Sequence, residues 1–64
     1  MKAMLIFGNE RTEAVPGSAI EDAVRTAGKL PDTYLYLRNG RPVPMTTVLN
    51  DGDVIEAVRV ASGG

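Results

Sequence analysis

The chain has 64 residues, with seven Lys and Arg against eight Asp and Glu, a formal charge of −1, and neither cysteine nor histidine. That is one small domain without a disulfide, and it lacks the side chains that build zinc, haem and iron–sulfur sites and that most often act as nucleophile or acid–base pair. Arg11, Arg25, Arg38, Arg41 and Arg59 are spread singly, which gives no basic footprint for nucleic acid, and the longest apolar run, AMLIF, is too short to cross a bilayer.

The first element is a strand over residues 2–7, KAMLIF, bounded by Gly8-Asn9. A second strand over 11–15, RTEAV, lies beyond that glycine turn, so the two form an opening hairpin. The polar stretch GNERTE breaks the apolar run at once, leaving no signal-peptide pattern, and a cytoplasmic location is expected. PGS then punctuates the chain.

A helix is expected over 18–28, SAIEDAVRTAG. Ser18 and Glu21 fit a capping box, Glu21 and Asp22 suit the positive end of the helix dipole, and Gly28 supplies the stop. Ile20, Ala23, Val24 and Ala27 form one apolar stripe. A third strand over 33–38, TYLYLR, runs into Asn39-Gly40, a strong hairpin signal. RPVP is confined by Pro42 and Pro44 to a short or edge strand. MTTVL fits a loop, a single helical turn or a strand. NDGD is a turn; Asp51 and Asp53 lack the repeat of a calcium loop. The last and longest strand covers 53–60, DVIEAVRV.

The order is β-β-α-β-β-β. One helix with one apolar stripe must lie across one face of a mixed sheet to bury it, which is an α+β single domain of the β-grasp, or ubiquitin-like, kind. Residues 1–60 make the domain and 61–64 a flexible tail. Strand parity sends Ala3, Leu5, Phe7, Leu35, Leu37, Ile55 and Ala57 toward Ile20, Val24 and Ala27. It sends Met4, Ile6, Tyr36, Val58 and Val60 to the other face, an apolar surface suited to a partner.

The ending completes a pattern: NGRPVP, then LNDGDVIEAVRVASGG. Over its whole length the chain resembles the ubiquitin-like sulfur carriers and protein modifiers, which include ThiS, MoaD and small archaeal modifier proteins. MoaD-like chains usually carry a Pro-Pro pair near the end; VRVAS stands there instead, a departure that points away from molybdopterin synthesis. The resemblance implies a non-enzymatic carrier whose terminal glycine carboxylate is adenylated by a ubiquitin-activating-type enzyme. It then becomes a thiocarboxylate that donates sulfur to an accepting enzyme, or an isopeptide bond to a target lysine. Gly63 and Gly64 match the reacting motif. ATP is used by the activating enzyme, and the carrier itself, a monomer, needs no bound cofactor or metal and meets neither nucleic acid nor membrane.

Glycine suits this chemistry. Without a Cβ it passes a narrow channel and leaves the carbonyl open to attack. Four extended residues reach roughly 13 Å beyond the sheet, at about 3.3 Å each. Sulfur transfer and conjugation use the same activated glycine and are both open at this level. The rival reading is a non-reactive β-grasp interaction module with an inert tail. Ser18 reads as a cap rather than a nucleophile. Lys2 and Lys29 are acceptor lysines or, more simply, solvated charge.

Overall fold

The computed structural model describes residues 2–60. Among them are β1 (Ala3–Phe7), β2 (Glu10–Ala14), α1 (Ile20–Thr26), a 3-10 turn (Pro31–Thr33), β3 (Tyr34–Arg38), β4 (Arg41–Val43) and β5 (Val54–Arg59). The five strands form one sheet in the order β2-β1-β5-β3-β4. β1 and β5 are parallel and the other neighbours antiparallel. With α1 packed on one face, this is the β-grasp architecture expected from the element order.

Both hairpins follow from their turn residues. Phe7 and Glu10 close the first, with Gly8 at φ +61 in the first central position. Arg38 and Arg41 close the second around Asn39 (φ 53) and Gly40 (φ 78), the paired positive angles of a type I′ turn.

The helix is shorter than its sequence pattern and starts differently. Ser18 does not cap it: the Ser18 hydroxyl donates to the Val15 carbonyl at 2.6 Å, and Ala19 is the N-cap residue, with no side-chain hydrogen bond. The first amides of α1 turn instead to the segment after β4. Ile20 N–H donates to Thr47 O at 2.9 Å and Glu21 N–H to Met45 O at 2.8 Å. MTTVL is therefore an irregular segment lying against the helix start, joined to it by a single antiparallel bridge between Ala19 and Val48. The C-terminal end is as expected. Gly28 takes φ 83, its N–H reaches Arg25 O at 2.9 Å, and Lys29 N–H reaches Val24 O at 3.1 Å, the two bonds of a Schellman motif.

The core lies between α1 and the inner face of the sheet. Leu5, Ile20, Val24, Leu49 and Ile55 are fully buried, with Ala3, Phe7, Ala14, Tyr36 and Ala57 around them. Tyr36 corrects the parity expected for the third strand. It is 2% exposed, on the inner face, whereas Leu35 is 44% exposed and Leu37 half-buried on the outer one. Register explains the inversion: Tyr36 lies opposite Ala57 and Val43, both on the inner side, and a large ring fills the space beside an alanine. The Tyr36 hydroxyl stays satisfied by donating to Pro31 O at 2.8 Å. Ala27, placed in the stripe, is only half-buried.

The DGD turn uses both carboxylates as acceptors. Asp51 Oδ1 accepts from Lys2 N–H at 2.9 Å. Asp53 Oδ2 accepts from Arg38 Nη2 at 2.6 Å and from Asn50 N–H at 2.8 Å. These contacts pin the start of β5 to β1 and to the end of β3.

Candidate functional site

β5 is the central strand, and it delivers the C-terminal segment. Its first part is held on both sides, with Val54 to Ala57 beside Met4 to Phe7 of β1 and Ile55 to Arg59 beside β3. β1 then turns away at Gly8, while Val58 and Arg59 continue along β3. The last ladder-like contact is Val60 N–H donating to Thr33 O at 3.0 Å. The chain is thus anchored up to Val60. Gly63 and Gly64, the expected reacting residues, lie outside the described residues, as does the rest of the 61–64 segment.

The outer face, opposite α1, carries Met4 and Ile6 of β1, and Val54, Glu56 and Val58 of β5. β3 adds Leu35, opposite Val58, and Leu37, opposite Glu56. Of the expected partner-facing residues, Met4 and Ile6 are half-buried there, Val58 is 40% exposed and Val60 42% exposed. Tyr36 is not there. Leu35 and Leu37 occupy the positions expected for it, and Val54, at 51% exposed, is a further apolar member that parity alone places beside Met4. The one sequence signal for the two leucines is that β3 is apolar at both parities, so whichever pair faces out leaves an apolar surface.

At the end of β5 a cleft of about 410 Å³ opens, lined by Ile6, Gly8, Tyr34, Val58 and Arg59 among others. Its floor is aromatic: the Phe7 and Tyr34 rings meet edge-on with centroids 5.2 Å apart. Lys29 Nζ lies 5.0 Å from the Phe7 ring centroid and 3.1 Å from Glu10 Oε1. Glu10 and Glu56 offset Lys29 and Arg59, so the cleft has no net sign to attract an ion.

Tyr36 is a titratable group that the fold perturbs. Burial first, then the neighbouring Tyr34 and Asp32, pushes its phenol up to about 12. It lies in the core, away from Gly63 and Gly64 in sequence, and its role is structural.

No helix among the described residues is long and apolar enough to cross a membrane. The sequence model of the ThiS family matches residues 4–64, which takes in the apolar outer face, the whole of β5 and both terminal glycines. Among curated proteins none matches the chain.

Proposed function

This chain belongs to the ThiS family, ubiquitin-like sulfur carriers that work with activating and sulfur-accepting enzymes, and on that premise we propose that the Gly64 carboxylate is its reacting group. A carboxylate is a poor electrophile. The activating enzyme transfers AMP from ATP to it, releasing pyrophosphate, and the mixed anhydride has a good leaving group. Hydrosulfide then attacks the carbonyl carbon, forming a C–S bond as the C–O bond to AMP breaks, and loss of the S–H proton to water leaves a thiocarboxylate on Gly64. ATP is bound by the activating enzyme, so the carrier contributes position and shape.

The observation that supports this reading is that Val60 is fixed to Thr33 at the end of the central strand, and Gly63 and Gly64 follow it in the sequence after two residues. A rigid β5 and a thin Gly-Gly end are what a carrier needs to present a carboxylate inside another protein. Residues 1–60 act as the handle and 61–64 as the arm. In the cytoplasm, a single copy of the domain is the unit that meets the activating enzyme.

The outer face docks on the activating enzyme. Met4, Ile6, Val58, Leu35 and Leu37 are the apolar members of this face, with Glu56 set between Ile6 and Leu37, and the strand that carries Val58 runs on to Val60 at the root of the arm. Apolar surface on a sheet face usually marks a contact site, and flexible Met adapts to more than one partner. The same activated Gly64 reacts with a lysine amine if one is presented, giving an isopeptide bond, as in the modifier branch of the resemblance.

The test is ATP–pyrophosphate exchange by the cognate activating enzyme. Exchange is expected with the intact chain and lost when Gly63 and Gly64 are deleted or the terminal carboxylate is capped as an amide. Undiminished exchange with either altered protein would sink the proposal and favour a β-grasp interaction module with an inert tail.

A further inference from the structure

We propose that the free edge of β2 is a self-association site, at which a second copy of this chain adds its own β2 antiparallel about Thr12 and joins the two sheets. The inference goes beyond the carrier reading and stands without it.

The two sheet edges differ. β4 is short and carries Pro42 within it, with Pro44 next, so it lacks donors and resists pairing. β2 (Glu10–Ala14, ERTEA) has five residues and no proline. The tight turn bonds Glu10 to Phe7, so in an antiparallel ladder Glu10, Thr12 and Ala14 aim their backbone groups at β1. Arg11 and Glu13 therefore aim theirs outward, at the free edge.

Registry decides the partner. Outward-pointing groups pair only with outward-pointing groups, so an antiparallel second β2 can be centred on Arg11, Thr12 or Glu13. Centring on Arg11 sets two guanidinium groups opposite each other, and centring on Glu13 sets two carboxylates opposite; both are repulsive. Centring on Thr12 sets Arg11 opposite Glu13 of the second copy and Glu13 opposite its Arg11. That register makes four backbone hydrogen bonds and two opposite-charge pairs across a two-fold axis, with the two Thr12 residues meeting at its centre.

The side chains are free to do this. Arg11 and Glu13 are exposed, and Arg11 has no ion-pair partner among the described residues. Glu13 meets Lys2 at 3.0 Å on the surface, a solvated pair that a second cation joins at little cost. Because β2 is the far edge from β3 and β4, pairing leaves the outer face and the end of β5 uncovered. The two apolar outer faces then lie on the same side of one ten-stranded sheet, and the two β5 strands end at opposite ends of it. Four backbone bonds and two surface ion pairs make a weak, reversible contact.

Sedimentation equilibrium on the full chain at low salt, up to about 1 mM, tests this, with hydrogen exchange read at the Arg11 and Glu13 amides. The parent is expected to dimerise with those two amides protected in proportion. Arg11→Glu and Glu13→Arg should each stay monomeric, and the double variant Arg11→Glu with Glu13→Arg should dimerise again. A circular-dichroism melt checks that each variant is folded, and these exposed sites leave the core untouched. A parent that stays monomeric throughout overturns the proposal. So do single variants that dimerise like the parent, or a folded double variant that fails to recover.

Discussion

Tyr36 shows at one residue how packing, hydrogen bonding and titration are linked. Its ring is 2% exposed and its hydroxyl donates to Pro31 O at 2.8 Å, so the phenolate has neither water nor a donor to stabilise it. The folded chain holds this proton up to about pH 12, whereas an unfolded tyrosine loses it near pH 10. Above pH 10 the folded state therefore binds more protons than the unfolded one, and stability falls as pH rises. The contribution is fully present below pH 10 and is lost between pH 10 and about 12, amounting to about 2–3 kcal/mol. Melting curves across that window should show Tyr36→Phe losing less stability than the parent; parallel losses would mean that the hydroxyl is not shielded. The same packing ranks the neighbours: Leu5→Ala should cost ~2–5 kcal/mol and Leu37→Ala, on the outer face, clearly less in the same denaturation series. The sequence reading places Leu37 in the core, but YLYL is apolar at both parities and does not itself choose between Leu37 and Tyr36. The register opposite Ala57, which decides between them, is a long-range fact that no local pattern carries.

At the scale of elements, the two ends of α1 differ in how they were written. The C-terminal end is local: Gly28 at φ 83 lets the chain turn back, and the sequence announces it. Gly28→Ala should cost about 1 kcal/mol or more, from strain at a positive φ. The N-terminal end looks local, with Ser18 and Glu21 at capping-box spacing, yet its amides are satisfied by Thr47 O and Met45 O from a segment more than twenty residues on. Ser18→Ala should then cost less than the ~1 kcal/mol of a lost cap. A full capping penalty in chemical denaturation would restore the capping box. The outer faces of β3 and β5 yield a third prediction. Leu35→Asp or Val58→Asp should weaken binding to the activating enzyme at least tenfold while shifting the melting temperature little, because both side chains are already 40% exposed or more. Binding unchanged by either, measured by calorimetry, would move the docking face elsewhere.

At the scale of the molecule, the element order was legible because glycines, prolines and Asn-Gly turns cut a short chain into unambiguous pieces. Gly8, Asn39-Gly40, Gly28 and Gly52 all take the positive φ that makes them punctuation. The strand order was not legible: nothing in a 64-residue string says that the last strand runs parallel to the first in the middle of the sheet. That topology is what gives the carrier reading its mechanical sense. The central strand, paired on both sides and two strands in from either edge, is the one that leads toward Gly63 and Gly64. The central claim is that Gly64 bears the transferable sulfur. Intact-mass and fragment-mass analysis of the full chain, after incubation with its activating enzyme, ATP and a sulfur donor, tests it most directly. The account predicts a mass gain equal to one oxygen replaced by sulfur, confined to the fragment ending in Gly64; an unchanged mass at Gly64, or sulfur found only elsewhere in the chain, would contradict it.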